Sequence, residues 1–281
     1  MKTLNFKCYA KINIALNVLS KREDGYHELD MVMVPLALHD TVLLSELNNA
    51  EAHFVTIDDF TYGGSHYTLI TNALNKLSEY ANFDNKFRIA IHKAIPIQSG
   101  LGGGSSDTAF LLKNVNKALK LGVSDEKLVE IVAPLGADIP FFVGCKPSRA
   151  QGIGNKLTPI TIKNNYYVLL IKSDKGCSTK EVYDVSDQMN LVTGDIDAVV
   201  KALETGDDEL LGNSIVNSLE QASVTISPEI AKIKQSLKDD GLNIVGMSGS
   251  GSTVFALSTN KKLLKKTSIK LFQIKCSSEI I

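Results

Sequence analysis

The 281-residue chain has no tryptophan, only seven prolines and four cysteines, and no excess of either charge. Thirty basic and 31 acidic residues leave a formal charge of −1, so nothing in the composition pulls it toward nucleic acid or an anionic membrane. No stretch approaches the ~18–20 consecutive apolar residues that a membrane span needs. Cys8, Cys145, Cys177 and Cys276 are scattered without C-x-x-C spacing, which argues against a disulfide framework or a zinc site. Free thiols, together with an N-terminus that lacks the apolar run of a signal peptide, make a cytoplasmic location the expectation. Repeats and low-complexity tracts are absent as well. What is present is the composition of an ordinary soluble protein, 44% hydrophobic and 22% charged, long enough for one large domain or two moderate ones.

Periodicity sketches the elements. The first third reads as β-rich, with strands over 6–18 and 31–47 and a short one at Phe54 to Ile57. Ile70, Ala73, Leu74 and Leu77 carry helical spacing, and Phe87, Ile89 and Ile91 alternate as in a strand. A glycine run follows. Leu111, Leu112, Val115, Ala118 and Leu119 then form a helical stripe, for which Ser105 or Ser106 is the expected N-cap. Ser124 is expected to cap the next helix, which Gly136 to Pro140 breaks. Beyond residue 160 the pattern predicts a strand over Tyr166–Lys172 and helices over 195–205 and 207–222. A helix opened by Ser227-Pro228-Glu229 and ended by Gly241 comes next. Strands at Ile244–Met247 and Thr253–Leu257 flank a second glycine loop. A lysine-rich helix (Lys261, Lys262, Lys265, Lys266), read as a solvated face, and a strand over Leu271–Lys275 complete it. This β-α-β-β-α-β order suggests a ferredoxin-like sandwich.

The glycine run is Pro96-Ile97-Gln98-Ser99-Gly100-Leu101-Gly102-Gly103-Gly104-Ser105-Ser106. Removing Cβ atoms lets a ligand approach the backbone and permits positive φ, so N–H groups can converge on phosphate oxygens. The helix behind adds its unsatisfied N–H groups and positive dipole end. A Walker A loop would need a lysine that is missing, and the glycine spacing does not fit a dinucleotide fingerprint. Taken alone, the run is either a phosphate nest or a flexible turn between strand and helix.

Further motifs accompany it: Ala10-Lys11-Ile12-Asn13, Asp24-Gly25-Tyr26-His27, Leu135 to Phe142 with Asp138 at its centre, Gly152-Ile153-Gly154, Thr179-Lys180-Glu181-Val182-Tyr183 and Met247 to Ser252. In that order they resemble the GHMP kinases, over nearly the whole chain. The Ala-Lys-Ile-Asn and Asp-Gly-Tyr-His pair resembles one branch of the family, which serves the non-mevalonate isoprenoid pathway. Gln98, Ser99, the turn Lys146-Pro147-Ser148-Arg149 and Asn155 depart from the family pattern.

The resemblance implies an α+β GHMP kinase fold, with a ribosomal-S5-domain-2-like N-terminal domain (1–158) and a ferredoxin-like C-terminal domain (159–281). It implies ATP on residues Pro96 to Ser106, Mg²⁺ with it, and a cytidine-diphosphate-linked polyol as the phosphate acceptor. Asp138 would accept the hydroxyl proton and Lys11 would stabilise charge beside it. Asn13 would bind the polyol, and Tyr26, His27 and Tyr183 would hold the cytosine. Metal ligands stay unassigned, with Ser106 the one candidate. No nucleic-acid or membrane partner is expected, and the chain would be a monomer or homodimer. Each residue also has a plain alternative: Asp138 as a helix cap, Lys11 and Asn13 as solvent-facing strand residues, and the tyrosines as packing. A mevalonate- or phosphomevalonate-type kinase would share the loops but lack the Asp-Gly-Tyr-His turn. A non-catalytic descendant would be expected to lose Lys11 or Asp138, and an RNA-binding module would need a basic aromatic surface.

Overall fold

The computed structural model describes residues 3–58, 60–63, 68–270 and 275–280, and shows an α+β protein. Two compact units emerge. The first takes in residues up to Ala10, His39–Ile95 and Gly102–Cys145; the second takes in Lys11–Leu38, Pro96–Leu101 and the chain from Lys146 onward. No single cut separates them, because two long strands, β1 (Leu4–Lys21) and β2 (His27–Leu47), each contribute to both units.

In the first unit, β3 (Phe54–Ile57) pairs with β4 (Phe60–Gly63) in a hairpin and runs parallel to β5 (Lys86–His92). Parallel pairing requires a crossover, supplied by α1 (Thr68–Ala81). The C-terminal part of β2 lies antiparallel on the other side of β5. The predicted alternation is present: Phe87, Ile89 and Ile91 are buried, while Arg88 and His92 are exposed. Ile70, Ala73, Leu74 and Leu77 turn the apolar stripe of α1 inward. α2 (Gly103–Ala118) packs on α1 and on α4 (Ile139–Gly144), and α4 also packs on α3 (Asp125–Val132). Ser124 caps α3 as expected, its side chain accepting from Lys127 N. Ser105 and Ser106 do not cap α2. The N-cap is Gly102 in a left-handed conformation, and both serines lie within the first turn, because the glycines let the helix begin earlier than the apolar stripe does.

In the second unit, β6 (Ser148–Gly152) pairs antiparallel with the N-terminal part of β2 and with β7 (Lys156–Pro159). The Gly152-Ile153-Gly154 motif is the turn of that last hairpin, with both glycines at positive φ. The other sheet contains β8 (Tyr167–Lys172), β9 (Ile244–Met247), β10 (Thr253–Ser258) and β11 (Lys275–Glu279), in the order β11-β8-β10-β9 and antiparallel throughout. This is the ferredoxin-like order expected from the sequence. The expected strand over Leu271–Lys275 lies, up to residue 274, outside the described residues; β11 begins at Lys275. Five helices separate β8 from β9: α5 (Thr179–Ser186), α6 (Ile196–Thr205), α7 (Asp208–Ser214), α8 (Glu220–Ile226) and α9 (Glu229–Asp239). The single helix expected over 207–222 is two helices. Between them, Val216 O accepts from Leu16 N and Ser218 N donates to Leu16 O, both at 2.9 Å, so this backbone pairs with β1 and leaves the helical ladder. α10 (Lys261–Lys270) packs on β8 and β10.

Arg149, expected in a turn but lying in β6, forms a fork with Asp30 of β2 (Nε–Oδ1 2.8 Å, Nη2–Oδ2 2.7 Å) and reaches Asp197 of α6 at 2.5 Å. Arg149→Leu is expected to cost about 2–3 kcal/mol in a denaturant titration, because it strands a largely buried carboxylate. Adding Asp30→Asn should recover part of that loss. Equal stability of Arg149→Leu and wild type would show that the fork contributes nothing.

Candidate active site

The expected site residues are distributed over both units. Lys11, Asn13, Tyr26, His27, Pro96–Leu101 and Tyr183 belong to the second; Gly102–Ser106 and Asp138 belong to the first.

In the second unit, Lys11 and Asn13 point to the same face of β1, two residues apart. Neither faces solvent: Lys11 is 2% exposed and Asn13 1%. Their plain reading as solvated strand residues is therefore excluded. Lys11 Nζ donates to Asn13 Oδ1 at 2.6 Å, and Asn13 Nδ2 approaches Met31 Sδ at 3.1 Å. A buried ammonium is costly unless polar groups surround it, so this one is deliberately housed.

Both glycine loops border the pair. Lys11 N donates to Leu101 O at 3.1 Å, and Asn13 N donates to Ser248 Oγ at 3.2 Å. Ser248 Oγ donates to Gly100 O at 2.9 Å, and Thr253 N donates to Ser99 O at 3.2 Å. Gly100 has φ 75°, and a Cβ there would stand 2.1 Å from Ser248 O. A Cβ on Gly249 would lie 3.3 Å from Asn13 Oδ1 and 3.4 Å from Lys11 Nζ. The second loop thus packs directly on the first. Asn217, unanticipated from the sequence, ties the second loop down by donating to Met247 O and Gly249 O at 2.8 and 2.9 Å.

In the turn between β1 and β2, Gly25 adopts φ 83° and Asp24 Oδ1 accepts from Tyr26 N. That leaves Tyr26 46% exposed. His27 stacks on Tyr183, with ring centroids 4.5 Å apart and an interplanar angle of 28°. His27 Nε2 also meets Asp187 Oδ1 at 2.7 Å, and Asp187 Oδ2 takes the Lys21 ammonium. The hydrogen bonds from Lys21 and then His27 hold the Asp187 carboxyl below its ordinary range. Asp187 was not singled out from the sequence, although its place one helical turn after Tyr183 is a usable signal.

In the first unit, the N-cap residue Gly102 gives α2 no side-chain capping bond. Ser106 is fully buried and its hydroxyl donates to Tyr9 O at 2.6 Å. Asp138 sits at the N-cap position of α4, yet its side chain makes no capping bond, which removes its plain reading as a cap. Behind α2, the Lys93 ammonium lies between Asp40 and Asp107, at 2.8 Å from Asp107 Oδ2. A Cβ on Gly103 would come within 3.1 Å of Lys93 Nζ, so the start of α2 fits closely over this cluster. Burial, with Asp40 nearby, pushes the Asp107 carboxyl up to about 7 against the pull of Lys93.

No group of three or more His, Cys, Asp or Glu able to hold a metal occurs among the described residues. The Ser106 hydroxyl, the one metal ligand the sequence offered, is engaged with Tyr9 O.

Two family models match: the GHMP kinases N terminal domain over residues 68–145 and the GHMP kinases C terminal over residues 199–268. A relative from Bacillus cytotoxicus named 4-diphosphocytidyl-2-C-methyl-D-erythritol kinase is 38% identical, covering 89% of this chain and 86% of its own. Relatives of that name from Geobacillus thermodenitrificans and Clostridium acetobutylicum are 39% and 35% identical, covering 90% and 94% of this chain and 88% and 94% of theirs. A crystal structure of 4-(cytidine 5'-diphospho)-2C-methyl-D-erythritol kinase superposes with a TM-score of 0.80 at 26% identity, covering 99% of both chains. Homoserine kinase from Cytophaga hutchinsonii shares the fold at a TM-score of 0.75 and 16% identity, covering 100% of this chain and 95% of its own.

Two outcomes are expected. Gly100→Ala should destabilise by on the order of 3 kcal/mol or more in thermal unfolding, since it combines positive φ with a backbone clash. A wild-type melting temperature would refute the loop contact. For Asp107, the folded carboxyl keeps its proton to about pH 7, while an unfolded one releases it near pH ~4. Over that window the folded state binds more protons, so this group's contribution to stability is full below pH ~4 and is lost as pH rises through about 7. Asp107→Asn should therefore gain stability relative to wild type as pH rises from 4 to 7. A flat difference would mean that Asp107 is ionised throughout.

Proposed function

We propose, from the premise that this chain belongs to the 4-diphosphocytidyl-2-C-methyl-D-erythritol kinases within the GHMP kinase family, that it transfers the γ-phosphoryl group of ATP to the 2-hydroxyl of 4-diphosphocytidyl-2-C-methyl-D-erythritol. The step belongs to the non-mevalonate (methylerythritol phosphate) isoprenoid pathway, and the enzyme acts in the cytoplasm. Among the described residues no helix is long and apolar enough to cross a membrane. The observation that carries this reading is the buried Lys11–Asn13 pair under the second glycine loop, since a protein without use for that ammonium gains nothing by burying it.

The roles follow from the chemistry. Phosphoryl transfer to an alcohol requires a positioned hydroxyl, a proton acceptor and charge relief. Asp138 accepts the hydroxyl proton as the oxygen attacks the γ-phosphorus and ADP leaves. Lys11 offsets the charge that gathers on the oxygens, and Asn13 orients the erythritol part while fixing Lys11. The N–H groups at the start of α2 and the backbone of Pro96–Ser106 hold the ATP phosphates. Magnesium travels with the nucleotide, coordinated mainly by phosphate and water. Tyr26, His27 and Tyr183 present the aromatic surface for the cytosine; stacking contributes about 1–3 kcal/mol per base in single-strand binders. The division into an ATP-binding half (1–158) and a C-terminal half (159–281) is part of the same proposal.

A coupled ADP-release assay with ATP and Mg²⁺ tests it. Turnover is expected with the cytidylated substrate and not with mevalonate, phosphomevalonate or homoserine. Asp138→Ala should lower kcat by roughly 10²–10⁴-fold. Turnover of mevalonate or phosphomevalonate instead would keep the chemistry and overturn the roles of Tyr26, His27 and Tyr183. ATP binding without any turnover would indicate a non-catalytic family member.

A further inference from the structure

We infer that Asp187 is a positioning residue for the nucleobase end of the substrate, an assignment that rests on the proposed role of His27 and Tyr183 in holding the base. Helix α5 grips the His27 imidazole twice. Tyr183 lies against its face, and Asp187, one turn later, binds its edge at Nε2, 2.7 Å from Oδ1. The two grips are tied together by the backbone, since Asp187 N donates to Tyr183 O at 2.9 Å.

A carboxylate against one ring nitrogen decides which nitrogen carries the proton, because only an N–H can satisfy it. Asp187 therefore places the proton on Nε2 and, with Tyr183, sets the ring plane. Lys21 pairs with the other carboxylate oxygen, which offsets its charge. The His27 side chain is 9% exposed and the Asp187 side chain 17%.

Helix stability does not account for this residue. Asp187 occupies the C-cap of α5, where a negative charge opposes the negative end of the helix dipole. Its side chain turns to the β1–β2 turn instead, from which His27 and Tyr26 project. A prealigned ring spares the substrate the cost of ordering it, so the effect belongs in binding and not in the phosphoryl-transfer step.

The test combines kinetics with nitrogen-15 NMR of the imidazole in the full-length protein. Wild type should show His27 protonated on Nε2, and Asp187→Ala should lose that state. The variant should raise KM for the cytidylated substrate about ten-fold, the scale seen when a partner that orients a functional histidine is removed. Its kcat should stay within about two-fold and KM for ATP should not change. Asp187→Asn, which preserves size, serves if Asp187→Ala fails to fold, and is expected to shift KM in the same direction. Unchanged KM in both variants, a fall in kcat alone, or an Nδ1-protonated ring in wild type would overturn the assignment. Wild type that does not turn over the cytidylated substrate would instead refute the substrate reading, and the positioning role with it. A retained Nε2 signal would then mark the bond as structural only.

Discussion

Ser248 sets its carbonyl oxygen where the β-carbon of residue 100 would be, 2.1 Å from that ideal position, and the second unit's part of the site is arranged around this approach. Because Gly100 has no side chain, the loop after β9 settles onto the loop before α2, and Ser248 Oγ can donate to Gly100 O while accepting from Asn13 N. That serine is the knot between β1, the first glycine loop and the second. Lys11 and Asn13 lie beneath it with Gly249 pressed against both. The glycines at 100 and 249 therefore serve packing between loops, a different requirement from the phosphate access that the run first suggests.

Charges below the surface recur, and each is held by a different device. Lys11 leans on a side-chain amide, Lys93 on Asp40 and Asp107, and Arg149 on a fork to Asp30. Isolated, any of them would cost several kcal/mol, on the order of an unpaired buried ion. Lys93 balances its neighbours locally behind α2. Lys11 meets a side-chain amide oxygen at 2.6 Å.

Much of the architecture was legible in the chain. The spacing of Ile70, Ala73, Leu74 and Leu77, the alternation around Ile89, the Ser124 cap and the ferredoxin-like strand order all correspond to observed elements. Errors arose where a long-range partner overrode a local pattern. Residues 215–219 read as helix, but Leu16 claims their backbone and Asn217 holds the second glycine loop. Ser105 and Ser106 read as caps, yet Gly102 starts the helix earlier and Ser106 turns to Tyr9. Asn217 and Lys93 escaped notice because single polar residues in loops and strand ends carry no periodic signature, and Asp187 because its place one turn after Tyr183 was not followed.

By itself, the sequence determined most of the helices and strands, where backbone without Cβ was required, and which motif set the chain carries. These are local matters of period, steric freedom and residue type, and they survive translation into structure. Only the tertiary structure decided that Lys11 and Asn13 are buried, that Tyr183 stacks on His27, that Asp187 meets His27, and that Asn217 ties down the second glycine loop. Those outcomes depend on contacts between residues far apart in the chain. Burial and hydrogen bonding are properties of the partners that folding brings together, and no local pattern encodes them.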